Sequence, residues 1–169
     1  TVQLVAKSLK PDTLIGKKLI CSVYDASGSS AKKQREFEGY IEKVSAGIAV
    51  EISGMQAFEL TLCPWFWLLS FTRNYRVFQS KNTQAIVSSI FEDAGFSGEF
   101  KFLAVPGLVR PYYLQYGESD YEFVRRLLAE VGVNFYFEQE ISSHKMVMQD
   151  AATTSQKLGG PGFVYQTDP

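Results

Sequence analysis

An α+β chain, mainly antiparallel β with two amphipathic helices packed on the strands, is the fold class that three features of the sequence predict. Period-two alternation of apolar and polar residues fills the first third of the chain. Two helical stripes, each closed by a glycine, follow between residues 82 and 132. An aromatic strand, VNFYFEQE, is then followed across a short turn by KMVMQD.

The strands come first. Val2, Leu4 and Ala6 alternate with Gln3 and Val5, and Leu19, Cys21 and Val23 with Lys18, Ile20 and Ser22. Phe37, Gly39 and Ile41 alternate with Glu36, Glu38, Tyr40 and Glu42; Ile48, Val50 and Ile52 make a separate run; Phe58, Leu60 and Leu62 alternate with Glu59 and Thr61. Gly- and Ser-containing turns between these runs predict an antiparallel meander with one wet face. SSAKKQRE (29–36), the densest basic cluster, falls between two runs and reads as a solvated hairpin loop.

Pro64 ends the last of these strands and suits the first position of a helical turn. From Trp65 to Phe71 the chain is apolar all round, which predicts a short buried helix. A large ring buries about 150–250 Å², or roughly 4–6 kcal/mol gross at about 25 cal/mol per Å². Pro64, Trp65, Trp67, Leu68 and Leu69 are therefore the predicted structural junction between two lobes. Arg73 and Arg76 leave the core directly afterwards, and Val77 and Phe78 begin another short extended piece.

The first helix is expected to begin near Asn82 or Thr83, to present Ile86, Ile90, Phe91 and Ala94 on one face, and to stop at Gly95. The second is better marked. Ser119 and Glu122 form an S-x-x-E capping box, Phe123, Leu127, Leu128 and Val131 make the inner stripe, and Gly132 supplies the stop. Between the helices, Glu99 to Leu103 and Tyr112 to Tyr116 are strand-like. The expected organisation is a first β lobe over 1–64 and a helix-containing β lobe over 65–150, whose hairpin 133–150 either stays with it or returns to the first. The stretch 151–169, with its Gly-Gly-Pro-Gly cluster, reads as linker or tail.

Several chemistries are excluded by residue type and spacing. A formal net charge of −1 argues against nucleic acid as a partner. The apolar run at 65–71 falls short of the about 20 residues a span needs, so no stable membrane insertion is expected. Cys21 and Cys63, the only cysteines, lack metal-ligand spacing and read as small core residues of a protein folded in a reducing cytoplasm. TVQLVAKSLK has no secretory leader pattern; it begins without Met in mid-strand register, which points to a fragment. His144, the single histidine, reads as an exposed hairpin residue beside Ser142 and Ser143, with no third group to orient a nucleophile and no partners for a metal. The acidic trio Glu118, Asp120 and Glu122 invites a glycosidase reading, but its place in the first turn of a helix explains it through the dipole and the cap. Arg125 and Arg126 read as a solvated face or as partners of Asp120 and Glu122. No nucleotide-binding glycine pattern is present, and no cofactor is expected. The 9 Tyr and 13 Phe fall largely on alternating strand faces, which favours core or protein interface over a stacking surface for sugars or bases.

Two stretches, PWFWLLSFTRNYRVFQSKNTQAIVSSIF (64–91) and YYLQYGESDYEFVRRLLAEVGVNFYFE (112–138), together with LIGKKLICSVYD (14–25) and REFEGYIEKV (35–44), resemble the hub region of the valine–glycine repeat protein G (VgrG) family. That region of type VI secretion tip proteins is similar to the baseplate hub proteins of contractile phage tails, and the likeness runs from about Leu14 to Asp150. It implies small barrel-like β lobes, a homotrimer in the full-length protein, and a non-enzymatic hub joining a hexameric tube ring to a membrane-puncturing spike. It also implies assembly in the bacterial cytoplasm followed by translocation outside or into a target cell, with secreted effectors as further partners. In that setting Arg73 and Arg76 either reach a neighbouring subunit or brace the junction. Family members extend past both ends of this stretch. Alternatives are a phage or prophage baseplate hub, an envelope-degrading enzyme whose cleavage would depend on Glu118 or Asp120, and a stand-alone ligand-binding barrel using exposed tyrosines.

Overall fold

The computed structural model describes residues 1–7, 9–25, 32–50, 55–140 and 143–150. The expected tail at 151–169 lies outside the described residues, as do Ser29 to Ala31, Ile52 and Ser142. The architecture is mainly antiparallel β, as the alternation predicts, built as three small sheets around two helices.

The first sheet holds β1 (Val2–Ala6), β2 (Lys18–Asp25), β3 (Lys32–Val50) and β4 (Met55–Cys63) in the order β1-β4-β3-β2, all antiparallel. A short helix, α1 (Pro11–Leu14), links β1 to β2; at four residues it is too short to show an apolar stripe. The runs at 36–42 and 48–52 were expected as separate strands, yet one strand of 19 residues covers Lys32 to Val50. Register shifts between Ile41 and Lys43 and between Ala46 and Ala49 absorb extra residues as bulges, so pairing with β4 continues without a turn. Lys32, Lys33 and Arg35 accordingly lie in β3 and not in a loop. Gly39 suits the close approach of the two strands here, because a Cβ at this position would stand 3.0 Å from the Cys63 carbonyl oxygen.

A 3₁₀ helix over Trp65–Phe71 leads into β5 (Arg73–Asn82), which pairs antiparallel with β7 (Val109–Ser119) as a two-stranded ribbon. Helix α2 (Thr83–Asp93) starts where the Asn82 side chain accepts the Ala85 N–H at 2.8 Å. Helix α3 (Asp120–Glu130) ends ahead of Gly132, whose φ of 71° is the left-handed stop. The third sheet sets β6 (Phe100–Ala104) parallel to β9 (Ser143–Asp150), which pairs antiparallel with β8 (Val133–Glu140). The hairpin was legible from its alternation; the parallel partner was not, because β7, α3 and β8 lie between β6 and β9 along the chain.

The main core lies between the helices and the third sheet. Ile86, Val87, Ile90 and Phe91 of α2 meet Phe123, Val124, Leu127 and Leu128 of α3, with Met146 and Met148 of β9 beneath. Val87 and Val124 widen the predicted stripes, whereas Ala94 is exposed. The first sheet buries Ile41, Phe58, Leu60 and Cys63, and Tyr40 packs at the margin of the main core.

Candidate functional site

The segment that joins the first sheet to the helices is built from bulky residues in a tight turn. Pro64 stays extended, and the Trp67 N–H reaches back to the Pro64 carbonyl at 3.0 Å. With about three residues per 3₁₀ turn, Phe66 and Leu69 fall on one side. Trp65, Phe66 and Leu69 are buried, Trp67 and Leu68 are half-buried, and Phe71 is exposed. The expectation of an all-round buried helix is thus corrected: the tighter winding turns only part of the run inward. The Trp65 indole stacks on Phe96 at 4.6 Å and meets Phe91 of α2 and Phe137 of β8 edge-on at 4.8 and 6.5 Å. Phe66 contacts Phe91, Tyr121 and Phe135. The two residues directly after β4 and Pro64 are therefore gripped by both helices and by β8.

A second contact ties the first sheet to the third. The Glu38 backbone N–H donates to Gln139 Oε1 at 3.0 Å, and Gln139 Nε2 donates to the Glu38 carbonyl at 3.4 Å. This packing covers the turn end of the β8–β9 hairpin, where Gln139 pairs with His144, and buries His144, which is 2% exposed and lies 4.9 Å from the Phe137 ring. The expected exposed hairpin histidine is corrected accordingly, since hairpin position alone carries no information about what packs over it. Neither imidazole nitrogen has a hydrogen-bond partner among the described residues. Desolvation pushes the His144 pKa below its usual range. A cavity of about 330 Å³ beside it is lined by Cys21, Glu38, Cys63, Phe137 and Gln139. Burial pushes the Cys63 thiol up to about 11, so it stays a neutral thiol at pH 7, while Cys21 is half-buried. No group of three or more metal-ligating side chains forms among the described residues.

The ribbon and α3 meet through a polar network centred on Asp120. Arg76 pairs with its carboxylate and donates from Nε to Gln115 Oε1 at 2.8 Å. Gln115 Nε2 donates to Asp120 at 2.7 Å, Asn74 Nδ2 at 3.1 Å and Thr72 Oγ1 at 3.2 Å. The Asp120 backbone N–H closes the set on the Thr72 carbonyl at 3.0 Å. Asp120 was read from sequence as a first-turn charge and a partner for Arg125 or Arg126; its partner is Arg76, 44 residues earlier. Arg73, by contrast, is exposed and donates once, to the Gly117 carbonyl at 3.0 Å.

Ser119 caps α3: its Oγ accepts the Glu122 N–H at 3.1 Å, and the Glu122 carboxylate accepts the Ser119 N–H at 2.9 Å. That backbone N–H holds the Glu122 carboxyl below the usual carboxylate range. Arg126 bridges Glu118 and Glu130, not Asp120 or Glu122. Each member of the acidic trio is thus engaged in a bond that orients α3. Gln115, Asn74 and Thr72 were missed in the sequence. Their signal is weak but real: Asn74, Arg76 and Phe78 share a strand face, as do Tyr113 and Gln115, so polar residues sit on a face that must be buried.

Three comparisons agree with this geometry. The profile of the phage tail baseplate hub (GPD) family matches residues 1–169. The chain is 32% identical over 164 residues to the type VI secretion system spike protein VgrG1a of Pseudomonas aeruginosa, covering 96% of this chain and 24% of that protein. Its fold is similar to that of the E. coli c3393 protein, a type VI secretion component described as similar to the T4 tail proteins gp27 and gp5, with a TM-score of 0.78 at 23% identity over 92% of this chain and 42% of the other. A prophage MuSo2 tail protein of 43 kDa from Shewanella oneidensis matches with a TM-score of 0.53 at 12% identity over 90% and 51%. The chain therefore spans about a fifth to a quarter of the length of the curated relatives it matches. No helix among the described residues is long and apolar enough to cross a membrane.

Proposed function

This chain belongs to the phage tail baseplate hub (GPD) family, and on that premise we propose that it is a non-enzymatic structural hub, joining the tube of a type VI secretion system to its membrane-puncturing spike. Match to the family over residues 1–169 carries the reading, and the site is in keeping with it. Its charged groups are spent on holding elements together, and the junction at Pro64, Trp65, Trp67, Leu68 and Leu69 is a mechanical joint. In this reading 1–64 is one lobe and 65–150 the other, with Trp65 fixing their angle so that thrust from the tube passes through a stiff body. Arg76 holds the β5–β7 ribbon to α3 beside the joint. The full-length protein works as a homotrimer, is assembled in the bacterial cytoplasm and leaves with the tube, alone or with effectors.

Deleting the gene should abolish export of the tube protein into the medium, and re-expression should restore it. Export that continues unchanged in the deletion strain would sink the hub role. The similarity to a prophage tail protein favours a second reading, the same joint in a phage or prophage baseplate. Purified sheath–tube particles separate the two, since a phage tail carries a DNA-filled head and a secretion tube does not.

A further inference from the structure

The β5–β7 ribbon has two faces of opposite character. Phe78 stacks on Phe123 of α3, Tyr113 is buried, and Arg76 and Gln115 enter the Asp120 network, so this side is fully used. On the other side Tyr75, Val77, Tyr112, Leu114 and Tyr116 stand in solvent. They lie in register, with Tyr75 opposite Tyr116, Val77 opposite Leu114, and Gln79 opposite Tyr112. Tyr75 and Tyr116, 74% and 75% exposed, meet edge to face at 5.3 Å, and Tyr112 is 65% exposed. Gln79 is the one polar side chain among these six, and no charge lies among them. A two-stranded ribbon is marginal in water by itself, and this one turns an apolar side outward along three consecutive cross-strand pairs.

We infer that the outer face of the β5–β7 ribbon, centred on Tyr75, Val77, Leu114 and Tyr116, docks a second copy of this chain. Area supports it. Three tyrosines of about 150–250 Å² each, two-thirds to three-quarters exposed, present roughly 300–550 Å² of surface. With Val77 and Leu114 added, the patch reaches the upper part of the roughly 300–600 Å² usual for the largest patch of a monomer, and it forms the greater part of the about 800 Å² that each partner gives to a stable interface. Charge supports it too. The six central residues carry no formal charge, so they meet the same residues of an identical chain without like-charge repulsion. Tyrosine suits such a place, since its ring is buried on contact while its hydroxyl can still find a partner. This deepens the proposed hub role, on which the number of copies in the assembly rests, by naming the surface that holds the copies together.

Light scattering after size exclusion, over a range of concentrations, tests the inference on wild type, V77K/L114E and V77T/L114T. Val77 and Leu114 are register partners, so Lys and Glu would face each other and the strands would keep an opposite-charge pair while the face loses its apolar centre. Wild type should show a mass that is a multiple of 19.0 kDa, and V77K/L114E should fall to a single chain with its urea midpoint little changed. V77T/L114T, which suits a strand equally well, should weaken association roughly tenfold or more and decides the matter if the charged variant fails to fold. E92K, on the exposed end of α2, should leave the mass unaltered. A wild-type chain that is monomeric at every concentration, or folded ribbon variants that keep the wild-type mass, would overturn the inference. The hub role fails separately: a chain that assembles through the ribbon while its gene deletion leaves tube export intact loses that role and keeps this interface.

Discussion

Replacing Arg76 by alanine should destabilise the chain by about 2–3 kcal/mol, and replacing Arg73 by less than about 0.5 kcal/mol. Arg76 pairs its guanidinium charge with Asp120 and gives a further bond to Gln115. Hydrogen bonds to charged groups contribute about 1.5–3 kcal/mol, and stripping one partner from a buried pair costs about 3–5 kcal/mol because a bare charge is left behind. Two features lower the figure. The Arg76 side chain remains 27% exposed against 8% for Asp120, so water screens part of the attraction. Asn74, Thr72 and Gln115 also continue to donate to the carboxylate. Arg73 makes one bond from an exposed position and behaves as an ordinary surface residue.

Urea unfolding of wild type, R73A, R76A, D120N and R76A/D120N would measure this directly, with Trp fluorescence as the signal. For a chain of this size the expected loss corresponds to a fall of roughly 4–12 °C in Tm. The double-mutant cycle should return a coupling of about 1–2 kcal/mol between positions 76 and 120. An R76A protein within about 0.5 kcal/mol of wild type, or a coupling near zero, would refute the claim that this pair fastens the ribbon to α3. An R73A effect as large as that of R76A would show that exposure is the wrong guide to which arginine matters.

Trp65→Ala should cost about 3–5 kcal/mol, because a fully packed indole is removed between α2, β8 and Phe96; hydrogen exchange should speed up in β8 and α2 together, and a loss below about 1 kcal/mol would mean the joint is held elsewhere. His144 should make stability fall with acid. Its folded pKa lies below the unfolded value of about 6.5, so the unfolded chain takes up the proton first. The contribution is complete above about pH 6.5 and is lost as pH falls from there through the folded pKa. Lys18 opposes the proton further, whereas Glu38 and Glu99 favour it. His144→Phe should flatten that part of the stability profile, and an unchanged slope would place the acid sensitivity in other groups.

Local chemistry was legible in the sequence wherever neighbours along the chain make the structure. Ser119 and Glu122 lie one helical turn apart, Gly132 must follow α3, Asn82 precedes α2, and the alternation in β2, β4 and β8 specifies which side chains share a face. These follow from the periods of helix and strand and need no knowledge of what packs on them. Partners far apart along the chain were decided only by the tertiary structure. Asp120 takes Arg76 and not Arg126 because the register of β5 on β7 carries Arg76 beneath α3. His144 is buried because β3 closes over a hairpin that begins more than 80 residues later. The long β3 is one strand because its bulges let β4 keep pairing. The run at Trp65 to Phe71 was conspicuous from the start, but which of its rings face inward depended on the tighter 3₁₀ winding and on Phe91, Phe96 and Phe137 arriving from three other segments. Sequence patterning specifies faces; only packing specifies what each face meets.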